Sequence, residues 1–92
     1  MPLTPTYIHL PEGPVAGPLQ LLPVNADVLG VHTADGAHLG SLKKIGAVWK
    51  FKAVGYDAAG GLEPGGGPLT DRHNTVFAEP DAAEVTARLL HL

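Results

Sequence analysis

Ile45-Gly46-Ala47-Val48-Trp49-Lys50-Phe51-Lys52-Ala53-Val54-Gly55-Tyr56 is the stretch on which the fold turns. It holds the only Trp of the chain, one of the two Phe and one of the two Tyr. From Ala47 onward, large and charged side chains alternate with period 2. Successive residues of a strand point to opposite faces, so this pattern predicts a strand at the centre of a small sheet.

The neighbours of that strand follow from turn chemistry. Asp35-Gly36 is a strong hairpin signal, because a tight two-residue loop needs positive φ at its centre. Asp27–Thr33 and Ala37–Lys43 are the strands it predicts on either side. Ile45-Gly46 then reads as a second two-residue turn leading into Ala47–Tyr56. Pairing through both turns sets Leu29 opposite Leu42, Val31 opposite Gly40 and Thr33 opposite His38. Across the second turn, Leu42 faces Trp49, Gly40 faces Phe51 and His38 faces Ala53. Opposed residues share a face. The expected core face is therefore Leu29, Val31, Leu42, Trp49, Phe51 and Ala53, with Gly40 leaving room for the Phe51 ring. Trp49 and Phe51 are expected to be fully buried.

Farther out the signals weaken. Residues 1–24 carry six prolines, which exclude a helix. They read as a Pro-rich N-terminal segment, an arm or an edge strand, with Thr6–Leu10 extended and Leu19–Val24 lying across the sheet. Residues 25–92 form a single domain. Asp57–Asp71 has five glycines and two prolines and reads as a long loop. Thr75-Val76-Phe77 offers one more short strand. The chain ends in a helix over about residues 80–91, started by Pro80 or by a capping box of Asp81 with Glu84. Its apolar stripe is Ala82, Val85, Leu89 and Leu92. The expected class is α+β: a three- to four-stranded antiparallel meander with one C-terminal helix packed on one face.

Composition narrows the function. Ninety-two residues without cysteine exclude disulfides and thiolate metal sites. The N-terminus lacks the pattern of a signal peptide, and no apolar run reaches the length of a membrane span, so a cytoplasmic protein is expected. No catalytic residues are assigned: Ser41 is the only serine, Thr33 beside His38 has no third orienting group, and Asp81 with Glu84 is better explained by helix capping. Without such a constellation the chain reads as non-enzymatic, and no cofactor is expected. Metal binding is not expected either, because the register points His32 and His38 to opposite sides; a three-residue turn would bring them together. The glycine-rich loop lacks the Lys-Ser/Thr and following helix of a phosphate cradle. Arg72, His73 and Asn74 at its end form a polar cluster that either ties the loop to the sheet or binds a small polar ligand.

The remaining candidate is the second face of the sheet, with Val28, His32, Leu39, Ser41, Lys43, Val48, Lys50, Lys52, Val54 and Tyr56. No acid falls between Gly36 and Tyr56. Partner binding is expected at Lys43, Val48, Lys50, Lys52, Val54 and Tyr56, with another protein or a second copy as a homodimer. Nucleic acid is the alternative. A three-stranded sheet backed by one helix, with lysines on the open face, resembles in layout the β-sheet DNA readers such as integrase N-terminal domains and plant AP2 domains. The resemblance is one of layout and carries no residue roles over.

Overall fold

A computed structural model describes residues 17–90. Its strands are β1 (Gln20–Asn25), β2 (Val28–His32), β3 (His38–Ile45), β4 (Val48–Tyr56), β5 (Leu62–Pro64) and β6 (Val76–Phe77), followed by one helix, α1 (Ala82–Leu90). All pairings are antiparallel. The order is β1-β2-β3-β4-β5, and β6 joins the same edge of β4 as β5. The architecture is thus an antiparallel sheet with a C-terminal helix. The expected count of three to four strands is too low, because β1 and β5 extend the meander on its two sides. Thr6–Leu10 lies outside the described residues, as does Leu92.

β1 contains Pro23, which cannot donate a ladder hydrogen bond. It is tolerated because β1 lies at the edge and its pairing is irregular between Pro23 and Asn25. β5 is three residues inside the glycine loop, paired to the end of β4 through Val54–Pro64, Gly55–Glu63 and Tyr56–Leu62.

The β2–β3 register agrees with the reading at Leu29–Leu42 and Val31–Gly40. Near the turn it departs. Thr33 N–H donates to the Ala37 carbonyl over 2.9 Å and Gly36 N–H to the Thr33 carbonyl over 3.0 Å, so the loop is the three residues Ala34-Asp35-Gly36. Gly36 takes the left-handed φ of 99° such a loop needs. The Thr33 hydroxyl supports it, accepting from Ala37 N–H at 2.8 Å and donating to the Asp35 carboxylate. His32 consequently pairs with His38, and Leu39 becomes an extra residue in β3 before Val31 meets Gly40. Longer loop and bulge cancel, which is why the pairings beyond them are the expected ones. The bulge also turns Leu39, expected on the second face, into the core, where it is 0% exposed.

The β3–β4 turn is Gly46-Ala47, one position later than Ile45-Gly46, so that Gly46 (φ 63°) sits first in the loop. Moving a turn by one residue moves the register by two and leaves every side chain on its face. Leu42 therefore opposes Phe51, Gly40 opposes Ala53, and Lys44 opposes Trp49. Trp49 is carried from the sheet centre towards its end, beside Phe77 of β6, and is only half-buried. Phe51 and Phe77 hold the positions of full burial.

Helix α1 packs on the core face. Asp81 is its N-cap: its carboxylate accepts from Ala83 N–H at 2.8 Å, and its carbonyl takes the first helical bond, from Val85 N–H. Val85 and Leu89 enter a core with Leu19, Val31, Leu39, Leu42, Phe51, Ala53, Leu69 and Phe77. Ala82, expected in the apolar stripe, is exposed, and Thr86 is buried instead. Its hydroxyl accepts from Leu19 N–H at 3.0 Å and donates to the Ala82 carbonyl at 2.8 Å, fastening β1's entrance to the helix. Thr86→Val would leave the buried Leu19 amide without its acceptor. We expect a loss of about 1–3 kcal/mol in urea unfolding, with Thr86→Ser retaining most of the stability. No described helix is long and apolar enough to cross a membrane.

Candidate functional site

The face of the sheet turned away from α1 carries the expected residues together. Lys43 pairs directly with Lys50, Ser41 with Lys52 and Ile45 with Val48, so Lys43, Val48, Lys50, Lys52, Val54 and Tyr56 share one side by register. Lys43 is exposed and the others are half-buried. The additional strands extend this surface. Leu22 of β1 pairs with Gly30, Leu62 of β5 with Tyr56, and Val76 of β6 with Lys50. All three are exposed, at 47%, 55% and 42%. Among the described residues the strands carry a single carboxylate, Glu63, which pairs with Gly55 and so takes a core-side register position. The second face is cationic in its middle and aliphatic at its margins.

At the β2–β3 end the short register change creates a cluster that the two-residue turn had excluded. His32 and His38 stack with ring centroids 4.8 Å apart and planes 26° from parallel. His38 Nδ1 lies 2.8 Å from the Tyr56 hydroxyl. A Cβ on Gly30 would stand 2.8 Å from His32 Nε2, so the bare backbone there gives the His32 ring its seat. Burial holds His38 below the ordinary histidine value; the neighbouring His32 acts in the same direction, and a backbone hydrogen bond with Gly40 opposes them.

The polar residues after the glycine loop lie along the outer edge of β4, in the gap between β5 and β6. That edge needs partners at Phe51 and Ala53. Phe51 N–H donates to the Thr75 carbonyl at 2.8 Å, and Asn74 N–H to the Phe51 carbonyl at 2.7 Å. Ala53 N–H donates to His73 Nδ1 at 3.0 Å, and Gly65 N–H to the Ala53 carbonyl at 2.7 Å. His73 thus replaces a strand neighbour with an imidazole nitrogen. Asn74 sits at φ 76° and its side-chain oxygen accepts from Lys52 Nζ at 2.6 Å, which joins the loop to the second face. Arg72 closes a 3-10 turn, its N–H donating to the Leu69 carbonyl at 2.9 Å.

Sequence reasoning placed the lysines, made the His32–His38 contact conditional on a three-residue turn, and missed the aliphatic margin. Thr33 before Asp35-Gly36 is the signal for that turn, because it supplies a side chain that caps it. Among the described residues, no third histidine or carboxylate joins His32 and His38 in a group able to hold a metal ion. No family model, no curated protein and no solved structure matches this chain.

Proposed function

We propose that the chain is a non-enzymatic interaction module that binds a protein partner on the second face of its sheet, and that the partner's surface is acidic with aliphatic groups. The observation that carries this reading is the Lys43–Lys50 cross-strand pair on a face to which the described strands bring no carboxylate. Like charges directly opposite one another are unfavourable in a sheet. Carboxylates brought by a partner would relieve that repulsion and make the potentials complementary. Leu22, Leu62 and Val76 supply the apolar area that an interface buries and a solvent face does not need. A homodimer that set this face against its own copy would bring the lysine pairs together, so a different partner fits the charges better than a second copy. Nucleic acid would use the lysines but leave the aliphatic margin without a role.

The test is titration of the isotope-labelled chain with an acidic amphipathic peptide of Glu and Leu, followed by amide resonances. Shifts centred on Lys43, Lys50 and Lys52 and reaching Leu22, Leu62 and Val76 are expected, weakening with salt. Lys50→Glu should lower the affinity several-fold. Shifts confined to α1 or to Arg72–Asn74 would overturn the reading. Tighter binding of an oligothymidylate than of the peptide would transfer the face to nucleic acid. Light scattering showing a dimer that Leu62→Asp dissociates would return it to self-association.

A further inference from the structure

We propose that the His32–His38–Tyr56 cluster is a proton-operated switch on the second face, closed while its imidazoles are neutral and opened when they become charged. Its effect on partner binding rests on the reading of that face given above.

Three separate features build the cluster. The three-residue loop and the Leu39 bulge bring His38 beside His32, Gly30 clears the space beneath the His32 ring, and Tyr56 reaches His38 Nδ1 from β4. Neutral imidazoles stack without penalty at 4.8 Å, whereas two imidazolium rings at that separation repel. The Tyr56 bond changes as well. A neutral Nδ1 can accept the tyrosine proton, but an imidazolium carries hydrogen on both nitrogens and can only donate. The Tyr56 oxygen must then accept, and its own O–H is released to donate outward.

The charged surroundings reinforce the response. On this face β3 contributes Lys43 and β4 contributes Lys50 and Lys52, while β2 adds His32 itself. β1 brings Gln20 and Leu22, and β5 brings Leu62 with Glu63 at a core-side position. The carboxylate of Asp57, next to Tyr56, is held by the N–H groups of Ala59 and Gly61, and that of Asp35 receives the Thr33 hydroxyl. Charging the cluster thus adds positive charge to a face already cationic and frees a hydrogen-bond donor there. An acidic partner gains affinity as the pH falls, and its binding takes up protons.

The depressed His38 value sets the sign for folding too. The unfolded chain binds the proton more readily, so stability is full above the ordinary value of 6.5 and declines as pH falls from there towards the folded value.

Nuclear magnetic resonance of the full chain across this range tests the switch directly. The His38 imidazole is expected to titrate below the ordinary histidine range, Tyr56 ring signals to move with the same midpoint, and His32→Gln to raise that midpoint. A Tyr56 signal that does not follow His38 would overturn the switch, as would a His38 midpoint in the ordinary range that His32→Gln leaves unchanged. The Glu-Leu peptide then tests the coupling. Several-fold tighter binding below the midpoint is expected, becoming flat with pH in the His32→Gln/His38→Gln double variant. Equal affinity on both sides of the midpoint would overturn the coupling while leaving the face as the binding site. Peptide shifts away from the face would instead refute the face, with the histidine titration still deciding the switch.

Discussion

Phe51→Ala is expected to remove about 3–5 kcal/mol of stability, the range for deleting a buried phenylalanine. Phe51 is 0% exposed and lies in the core with Leu42, Ala53, Val85 and Leu89. The surroundings have little freedom to close the cavity, because the ring is flanked by backbone. A Cβ on Gly40 would stand 2.7 Å from Phe51 Cε1 and 2.4 Å from the Lys52 carbonyl oxygen. Gly40 therefore does leave room for the ring, along a diagonal rather than as its direct partner. For a domain of this size the loss is a large part of the total, of order 0.05–0.15 kcal/mol per residue. Urea unfolding should show a much lower midpoint with little change in slope. The same measurement on Trp49→Ala should give a clearly smaller loss, about 1–2 kcal/mol, since Trp49 is half-buried at the sheet end. Equal losses at the two positions would contradict the observed β3–β4 register and favour Trp49 opposite Leu42.

That comparison explains how much of the fold could be read in advance. The alternation through Val48–Tyr56 assigns faces by parity, and parity survives any even error in register. Misplacing the β3–β4 turn by one residue changed every partner of Trp49 and Phe51 without moving either to the other face. The lysines of the second face were legible for the same reason. Odd errors are different. One extra residue at Leu39 reversed the facing of Leu39 and His38, and nothing in His38-Leu39-Gly40 announces a bulge beyond the glycine that follows it. β5 was hidden because three residues among glycines are too few to show a period. β1 was obscured by Pro23, which argues against a central strand but not against an edge.

The polar end of the glycine loop was legible only as composition. Its role along β4 depends on contacts across some twenty residues, such as Ala53 N–H with His73 Nδ1. No local pattern encodes them, because any acceptor of suitable reach would satisfy the same amide. The second face shows the complementary case. Its cationic middle is local to β3 and β4 and could be read from the chain, whereas Leu22, Leu62 and Val76 come from three separate strands and share a face only in the folded sheet.

Gly67→Ala is expected to undo the docking of that loop. Gly67 has φ 87°, in the left-handed region, and an added Cβ would lie 2.1 Å from the Val54 carbonyl oxygen and 2.9 Å from its carbon. Both atoms belong to the backbone of β4, so no side-chain rotation relieves the clash. The adjoining Gly55 is equally close, since a Cβ there would stand 2.5 Å from Gly67 N. The two backbones touch because neither residue has a side chain. Backbone strain of about 1–3 kcal/mol adds to a steric cost of similar size, so we expect a loss of about 3 kcal/mol. The loss is limited by the chain's ability to release the loop rather than unfold. Hydrogen exchange separates these outcomes. Release of the loop predicts lost protection at Gly65 and Ala53, whose bonds run to Ala53 and His73, with Leu42 and Val85 still protected. Full protection at Gly65 in the variant would show that the loop does not depend on this close approach. Release would also take Asn74 from Lys52 and Leu62 from Tyr56, so the same substitution should weaken binding at the second face without altering any residue on it.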